Sequence, residues 1–423
     1  MFSFLTDSKN RNFLRLWLAQ LISQFGDRVN QLALVGLIAE RSPGNAMALA
    51  KLLAFTIVPV FIVQPFAGAL VDRWDRRTTL FVCDIIRGCL ILTIPFIFIF
   101  DKAIMPIYIV VFLAFCFSRF YVPAKMSIIP DLVDENNLLK ANSLVTTTGM
   151  IAFVLGLAVG GFIIEQFGAR NGFIIDAATF FVSASILISM DLPGHLKVNR
   201  EKLRNARTVI REVRRSTIAD IKEGIHYLIH HKEIRFIIMM LFVLLAAAGS
   251  IYVVIIVFIQ KSFHSVTMDL GFLGVCLGFG LFIGTVGYGK WGQKFLWYKT
   301  IFFCLACGGL MLIGFSLFVH YYPNIMVAML LAILLGIIIG PIFIASNTMT
   351  LVFADEHMRG RVFSALEIVI HFAFLIAMLI SSFISYVVPE VWILATVGVI
   401  VALIGLTGLV RKWDIQPQKL QGK

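Results

Sequence analysis

Charged residues that interrupt long apolar stretches are the part of this sequence best able to do chemistry. Asp27 and Arg28 lie about halfway along the first such stretch, and Asn30 and Gln31 follow them. An ionised side chain inside hydrocarbon is costly, so it is expected to be functional or to be paired. Asp27 can bind a cationic head group or carry a proton, and the alternative is an internal ion pair with a basic residue of the fourth stretch.

Two further apolar stretches carry charges. Arg119 and Lys125 lie in the fourth stretch, where they can bind a phosphate or a carboxylate. Glu367 and His371 lie one helical turn apart in the eleventh stretch. They can form either a substrate or proton site or a local pair with each other. No catalytic residue and no metal site are predicted, because no set of ligands or catalytic groups has the required spacing.

A turn rich in glycine and arginine follows the second apolar stretch and reads Gly68-Ala-Leu-Val-Asp72-Arg73-Trp-Asp75-Arg76-Arg77. Glycine lets helices approach closely, Asp72 can accept hydrogen bonds from a helix end, and the arginines can pair with carboxylates or lipid phosphates. Such a turn can latch a closed conformation, and the alternative is a solvated turn. Asp84 and Arg87 lie one turn apart early in the third stretch, where a local pair can brace the latch.

The composition limits the class of protein that can hold these residues. The 423 residues are 59% hydrophobic and 14% charged, with a mean hydropathy of +0.92, whereas soluble domains have about 45–50% apolar and about 25% charged residues. This excludes a soluble globular protein, a disordered chain and a disulfide scaffold. The six cysteines lie in apolar runs, so Cys304 and Cys307 are expected to be packing residues. The net charge of +12 is ascribed to basic cytoplasmic loops of a membrane protein rather than to binding of nucleic acid.

Twelve apolar stretches are long enough to cross a membrane as helices, which need about 20 residues each, so the predicted fold is an all-α membrane protein. The predicted spans are 13–38, 46–70, 78–100, 104–126, 142–165, 171–190, 235–260, 267–289, 298–320, 324–350, 362–387 and 390–410. The connection at 191–234 separates an N-terminal six-helix bundle, residues 1–190, from a C-terminal one, residues 235–423. Within 203–230, apolar residues recur at helical spacing among basic ones, which predicts an amphipathic helix on the cytoplasmic membrane surface. It can be a plain tether or can respond to anionic lipid.

Basic residues mark one side of the membrane. Lys9, Arg11 and Arg15 surround the start of the first span, and residues 191–235 carry eleven Lys or Arg. Cytoplasmic loops are enriched in Lys and Arg. The sequence therefore predicts a multi-pass protein of the cytoplasmic (inner) membrane with both termini and the central connection in the cytoplasm.

The two halves of the chain are similar to each other. The segment Ala124–Glu135 aligns with Ala345–Glu356 at an offset of 221 residues, and Gly68 aligns with Gly287 at an offset of 219. Parallel six-span repeats of this kind are a transporter architecture.

The turn that begins at Gly68 resembles the G-x-L-a-D-r-x-x-r-[kr] signature of the major facilitator superfamily, and its second-half copy, Gly287-Tyr-Gly-Lys290-Trp-Gly, lacks the acid. Three segments are similar to the branch that includes macrolide-efflux-type pumps, the enterobactin exporter and lysophospholipid transporters. They are Ser23-Gln-Phe-Gly26-Asp27, Pro123–Val133 with Lys140-Ala-Asn142-Ser143, and Gly360-Arg361-Val-Phe-Ser364. The resemblance covers nearly the whole chain.

The resemblance implies two six-helix bundles, transport by alternating access, and a cavity or gates to which spans one, four, seven, ten and eleven contribute. Drug–proton antiporters of the superfamily usually carry Gly-Pro-x-x-Gly-Gly in span five. Here the segment reads Gly156-Leu157-Ala-Val-Gly160-Gly161, which argues against proton antiport. The sequence contains no G-x-x-x-x-G-K-[ST] loop, so neither ATP nor another cofactor is expected.

Three function classes follow from these observations. The favoured hypothesis is a secondary transporter, a monomer, that exports an amphipathic drug-like molecule whose polar head lies near Asp27, Arg119 and Lys125. A lysophospholipid flippase is the alternative, and membrane lipid and a proton are the other candidate partners. A membrane-embedded acyltransferase is disfavoured because His230 and His231 lack the H-x-x-x-x-D spacing of acyl transfer. A sensor would need an added signalling domain.

Overall fold

The computed structural model describes residues 10–71, 73–100, 104–134, 137–190, 232–292, 295–353 and 359–411. Within these ranges the chain is largely helical and contains no β-strand. The described helices are α1 (Arg11–Arg41), α2 (Ala46–Ile62), α3 (Gln64–Val71), α4 (Arg76–Phe100), α5 (Met105–Leu132), α6 (Leu138–Ile188), α7 (Lys232–Phe263), α8 (Met268–Trp291), α9 (Trp297–Tyr321), α10 (Ile325–Phe353), α11 (Arg359–Ile384) and α12 (Glu390–Val410). The amphipathic helix predicted within 203–230 lies outside the described residues.

The helices follow the twelve predicted spans, with two differences in how they divide. The second predicted span is split into α2 and α3 around Val63, because Pro65 has no N–H to bond to the carbonyl of Phe61. The fifth and sixth predicted spans form one element, α6, which is interrupted at Gly168, where φ is 79° and ψ is 162°. A residue with a Cβ is strained in this conformation, so Gly168 provides the turn between the two arms of α6.

Nine of the helices, α4 to α12, are long and apolar enough to cross a membrane, in a search confined to the described residues. Helix α2 is apolar but only 17 residues long, and α3 continues it. Helix α1 has 31 residues and polar side chains near its middle. Gln20, Ser23 and Asn30 of α1 are buried. Packing within the protein therefore keeps these three polar residues of α1 away from lipid.

The chain divides into two compact units. The first comprises Met1–Pro43, Leu52–Ile218 and Val266–Gly271. In this unit α6 packs against α1 and α4, and α5 packs against α3 and α4. One part of its core joins residues from all five of these helices, including Phe13, Val71, Leu80, Tyr121, Leu144 and Leu187.

The second unit comprises Gly44–Lys51, Ala219–Ser265 and Phe272–Lys423. Helix α7 packs against α10, α11 and α12, and α9 packs against α10 and α12. Glycines bring α9 and α12 into backbone contact, since a Cβ at Gly309 would lie 2.4 Å from the carbonyl oxygen of Gly398. The small residues thus allow close helix packing, which is one source of helix association in lipid.

Candidate functional site

Buried charged residues are concentrated in the first unit. Among the described residues, five charged residues are buried, and Glu390 of α12 is the one that lies in the second unit. The other four are Asp84 and Arg87 of α4, Lys125 of α5 and Asp176 of the second arm of α6. Together with Asp27 of α1, we call these four residues the charge cluster.

Arg87 lies at the centre of the charge cluster. Its Nη2 atom is 2.5 Å from Oδ1 of Asp27, and its Nη1 atom is 3.5 Å from Oδ1 of Asp84. The guanidinium also lies over two aromatic rings, 4.0 Å from the ring centroid of Phe180 and 5.6 Å from that of Tyr121. A planar guanidinium can bind two carboxylates and stack on an aromatic face at the same time, which a lysine ammonium cannot do.

Asp84 is fully buried, and both of its carboxylate oxygens have partners. The hydroxyl of Ser183 donates to Oδ2 at 2.6 Å, and Arg87 faces Oδ1. A buried ionised carboxylate requires such partners. The one-turn spacing of Asp84 and Arg87 predicted their local pair, and the structure shows that the same arginine also pairs with Asp27.

Asp27 forms the exposed edge of the charge cluster. Its side chain is 37% exposed, whereas the side chain of Arg87 is 6% exposed. The sequence analysis expected Arg119 or Lys125 to be its partner, but its ion pair is with Arg87. Lys125 is close enough to Asp27 for their charges to interact, yet no ion pair between them is found. The expected pairing differs because the sequence does not indicate which faces of α1, α4 and α5 meet.

Asp176 is a member of the cluster that the sequence analysis missed. It has no exposed surface, and neither carboxylate oxygen has a hydrogen-bond partner among the described residues. The hydroxyl of Thr179 donates to the backbone carbonyl of Asp176 at 2.7 Å. Asp176 interrupts the apolar run from Phe173 to Phe181, so the reasoning applied to Asp27 would have found it.

Gly26 allows the polar faces of α1 and α6 to meet at the cluster. A Cβ at this position would lie 1.9 Å from Oγ1 of Thr179 and 2.6 Å from Oδ1 of Asp176. Both distances are shorter than any van der Waals contact. The glycine next to Asp27 therefore sets how closely α6 approaches α1.

The other predicted site residues of the first unit make separate contacts. Arg28 donates to Oε1 of Gln31 at 3.0 Å within α1. Asn30 is buried, and its Oδ1 atom has no hydrogen-bond partner in the described part of the chain. Arg119 donates to Oε1 of Gln64 at 3.4 Å. A role of these residues in substrate binding stays a prediction.

Glu367 and His371 form a local pair in α11 of the second unit. Nδ1 of His371 lies 3.3 Å from Oε2 of Glu367 and 2.8 Å from its backbone carbonyl oxygen. The side chain of His371 is 34% exposed and that of Glu367 is 49% exposed. Both residues lie on one face of the same helix, and a further role in binding a substrate or a proton stays a prediction.

Two arginines of the predicted latch turn brace the first unit. Arg77 donates hydrogen bonds to the last two backbone carbonyl oxygens of α6. Its Nε atom is 3.1 Å from the oxygen of Leu187, and its Nη2 atom donates to the oxygen of Ile188. Arg76 pairs with Asp131 at the end of α5. A cation at a helix C-terminus offsets the negative end of the helix dipole. These contacts therefore tie the start of α4 to the ends of α5 and α6.

Three other residues of the latch turn were also predicted to act in the latch, namely Gly68, Asp72 and Arg73. Arg73 is exposed, and a Cβ at Gly68 would have no neighbour within 4 Å. Asp72 lies outside the described residues. The latch that these residues are expected to form stays a prediction.

Glu165, near the end of the first arm of α6, is a second acidic residue that the sequence analysis missed. Its carboxylate accepts hydrogen bonds from the backbone N–H groups of Val266 at 2.9 Å, Thr267 at 2.7 Å and Met268 at 3.3 Å. Val266–Gly271 belongs to the first unit and contains the first residues of α8. The carboxylate thus binds the unpaired N–H groups at the positive end of a helix.

The charge cluster can bind a proton or a cationic group, because its charges do not balance when all of its groups are ionised. It contains three carboxyl groups and two basic groups, and one guanidinium serves two of the acids. Within the part of the chain that the structure describes, no group of three or more His, Cys, Asp or Glu side chains could hold a metal ion.

Comparisons with known proteins identify the family to which the chain belongs. The sequence matches the Major Facilitator Superfamily over residues 16–378. It is 28% identical over 366 residues to the uncharacterized MFS-type transporter YkuC of Bacillus subtilis (strain 168), which covers 84% of this chain and 81% of that protein. It is 22% identical over 367 residues to the multidrug efflux pump Tap of Mycolicibacterium fortuitum, which covers 85% of each.

The fold is also that of solved transporter structures. The crystal structure of a bacterial homologue of the iron transporter ferroportin, in the inward-facing state, has a TM-score of 0.70 and 13% identity. The match covers 96% of this chain and 100% of that one. The predicted fold class is therefore confirmed. The chain belongs to the major facilitator superfamily of membrane transporters.

Proposed function

We propose that the protein is a secondary transporter that exports amphipathic, drug-like molecules with a positively charged group by alternating access. The observation that carries this proposal is the exposure of Asp27 at the edge of an otherwise buried charge cluster. A cationic group that reaches Asp27 can take the place of Arg87. A relative named as a multidrug efflux pump supports export of such molecules.

The distribution of charge also favours an amphipathic substrate over a polyhydroxylated one. Four of the five buried charged residues in the described ranges belong to the first unit. A molecule with one charged end needs one charged site, and its apolar remainder needs an apolar surface. A sugar would require many hydrogen-bonding side chains instead.

Lys125 favours a lysophospholipid as a second candidate substrate. This lysine is buried, its charge interacts with that of Asp27, and it has no ion pair among the described residues. A zwitterionic head group carries a phosphate that can bind Lys125 and an ammonium that can bind Asp27. An uncharged or purely cationic drug leaves Lys125 without a partner.

Transport into proteoliposomes distinguishes the two substrates. Ethidium serves as the lipophilic cation and lysophosphatidylethanolamine as the lipid. Asp27→Asn is expected to slow transport of both by about tenfold or more, since a hydrogen bond to a charged group contributes about 1.5–3 kcal/mol. Lys125→Gln is expected to slow only the transport of the lipid.

Matched controls use exposed residues of the same type. Asp134→Asn, just after α5, and Lys51→Gln, on α2, change charges that lie at exposed positions and are expected to leave transport close to the wild-type rate. Wild-type rates in Asp27→Asn would contradict the assignment of Asp27. The absence of transport of either substrate by the wild type would contradict the proposed function.

We also propose that the protein lies in the cytoplasmic membrane with both termini in the cytoplasm. The contacts of Arg15 and Arg77 with the last residues of α6 support this, because they place basic residues at one end of the first unit. That end is expected to face the cytoplasm. A fluorescent protein fused to the C-terminus should therefore fluoresce, and alkaline phosphatase fused there should be inactive. The reverse result would contradict the orientation.

A further inference from the structure

Arg28 is a charged residue near the middle of α1 that has no acidic partner among the described residues. Its polar contact is with Oε1 of Gln31, one turn further along the same helix, at 3.0 Å. Other arginines of the first unit do pair with acids, since Arg87 contacts two carboxylates and Arg76 pairs with Asp131. Arg28 therefore carries a positive charge that the described part of the chain does not balance by contact.

The side chain of Arg28 is held against the first arm of α6. A Cβ at Gly156 would lie 2.6 Å from Cβ and 2.9 Å from Cγ of Arg28, so this glycine leaves room for the arginine stem. The guanidinium carbon lies 4.8 Å from the ring centroid of Phe153, and the ring covers one face of the guanidinium. The hydrogen bond to Gln31 restricts its rotation. Contacts from two helices thus orient the guanidinium before any ligand binds.

Most hydrogen-bond donors of Arg28 remain available to a ligand. A guanidinium has five N–H donors, and Nη1 is the nitrogen that bonds to Gln31. Neither Nε nor Nη2 has an acceptor in the described residues, and neither belongs to the buried polar atoms that lack a partner. These two nitrogens are therefore accessible. Parallel N–H groups of a guanidinium match the two oxygens of a carboxylate or a phosphate.

The depth of Arg28 indicates that its open edge faces water. Helix α1 begins at Arg11 and ends at Arg41, so Arg28 is far from both ends. An arginine near a helix end can extend to the membrane surface, but at mid-membrane its exposure to hydrocarbon is costly. Charged side chains at this depth face the interior of a helix bundle or a water-filled cavity. The partly exposed Arg28 is thus expected to line an aqueous space.

Two glutamines extend the polar surface beside Arg28. Gln24, Arg28 and Gln31 are spaced by four and three residues, so they lie on one face of α1, and all three are partly exposed. Oε1 of Gln24 lies 3.3 Å from the position of a Cβ at Gly149, so this face meets the first arm of α6. The amide groups of the two glutamines can donate further hydrogen bonds to an anion that binds Arg28.

We propose that Arg28 binds an oxyanion, a carboxylate or a phosphate, that the transported molecule carries in addition to its cationic group. The cationic group binds Asp27 and the oxyanion binds Arg28, so the substrates are amphipathic zwitterions. Neighbouring residues of a helix point about 100° apart. Asp27 faces Arg87, whereas Arg28 faces Phe153. The two charges of a substrate that reaches both residues therefore lie on separate parts of its skeleton.

This inference rests on the proposed function, because it takes one transported molecule to occupy both residues. It differs from the lysophospholipid alternative in where the anion lies. Lys125 is buried, whereas the unbonded nitrogens of Arg28 are accessible. The oxyanion is therefore assigned to Arg28 and not to Lys125.

Cysteine labelling tests whether position 28 faces water, with no substrate present. Arg28→Cys is treated with MTSES, a hydrophilic thiol reagent, in right-side-out and in inside-out membrane vesicles. Peptide mass spectrometry then measures the modification at that position. Val29→Cys is the control, because Val29 has no exposed surface. Arg28→Cys is expected to react and Val29→Cys is not, and an unreactive Arg28→Cys in both kinds of vesicle overturns the proposal.

Two dyes that differ by one carboxylate test the oxyanion site itself. Rhodamine 6G is a lipophilic cation with an ethyl ester, and rhodamine 19 is the same dye with a free carboxylate. Fluorescence polarisation measures their binding to the purified protein in detergent. Arg28→Gln is expected to weaken the binding of rhodamine 19 by about tenfold or more, because it removes hydrogen bonds between charged groups. The affinity for rhodamine 6G should stay close to that of the wild type.

Two further variants identify the cause of the loss. Arg28→Lys keeps the charge without the planar pair of donors, so it should recover part of the affinity for rhodamine 19. Arg170→Gln changes an exposed arginine of the first unit and should leave the binding of both dyes unchanged. Lys125→Gln should change the affinities for the two dyes alike. A selective loss of rhodamine 19 in Lys125→Gln would move the anion to Lys125 and overturn the assignment to Arg28.

The outcomes separate this inference from the function on which it rests. Equal losses of both dyes in Arg28→Gln and in Arg28→Lys overturn the oxyanion site and leave the transport function intact. A wild type that binds rhodamine 6G but not rhodamine 19 does the same. A wild type that neither binds nor transports either dye contradicts the proposed function and, with it, the substrate class inferred from Arg28.

Discussion

Removal of Arg87 is the perturbation whose cost follows most directly from the structure. Arg87→Met keeps much of the side-chain length and removes the charge. It leaves Asp84, whose side chain has no exposure, without its cation. Loss of one partner of a buried ion pair costs about 3–5 kcal/mol. The Asp27 pair adds little to this figure, because Asp27 is 37% exposed and can be solvated.

Thermal unfolding in detergent measures this loss. A thiol-reactive dye reports unfolding as an increase in labelling, because Cys83 and Cys304 are buried in the folded protein whereas Cys89 is already exposed. For soluble domains of 150–250 residues, each kcal/mol lowers the unfolding temperature by roughly 2–4 °C. By this scaling Arg87→Met should unfold about 6–20 °C below the wild type.

Two comparisons show whether the ion pairs are the cause. Arg28→Met removes an arginine whose contacts, with Gln31 at 3.0 Å and over the ring of Phe153 at 4.8 Å, leave no carboxylate unpaired. Its cost should be about 1 kcal/mol. Adding Asp84→Asn to Arg87→Met should restore much of the stability, because it removes the unpaired charge. Equal losses for both arginines, or no recovery in the double variant, would refute this reasoning.

Three other changes have defined outcomes. Gly26→Ala places a Cβ 1.9 Å from Oγ1 of Thr179 and should lower the unfolding temperature. Gly314→Ala is the control, because no atom lies within 4 Å of a Cβ at that position. Similar unfolding temperatures for the two variants would contradict the close approach of α1 and α6. Glu165→Gln removes the negative charge at the start of α8 and should lower the free energy of unfolding by about 0.5–2 kcal/mol. An unchanged unfolding temperature would contradict the stabilisation of this helix end by Glu165. Asp72→Asn should slow ethidium transport at unchanged expression, and a wild-type rate would argue against the latch.

The helices could be predicted from the sequence because the membrane imposes their length and composition. Every backbone N–H and C=O in hydrocarbon must be bonded within the segment, so an apolar run of sufficient length forms a helix. The breaks were harder to predict. Pro65 ends α2 early by removing one hydrogen bond, and Gly168 turns the chain within one continuous helical element. Single residues such as these decide where a helix breaks. A hydropathy profile is averaged over many residues, so it does not show the breaks.

The contacts of the charge cluster could be predicted only in part. The local pair of Asp84 and Arg87 follows from helical spacing within α4. The choice of Arg87 over Lys125 as the partner of Asp27 depends on how α1, α4 and α5 are rotated about their axes, and a single sequence does not contain this information. Asp176 was detectable, because an acid in an apolar span is costly wherever it occurs.

Asp27 and Arg28 illustrate why adjacent charges must be assigned to different sites. Neighbouring residues on a helix point about 100° apart, so the two side chains face different helices. Asp27 faces Arg87 of α4, whereas the Cβ of Arg28 would lie 2.6 Å from a Cβ added at Gly156 in the first arm of α6. The opposite charges at 27 and 28 therefore do not neutralise each other. Asp27 depends for its counter-charge on an arginine that also serves Asp84, so a change at either acid alters the environment of the other.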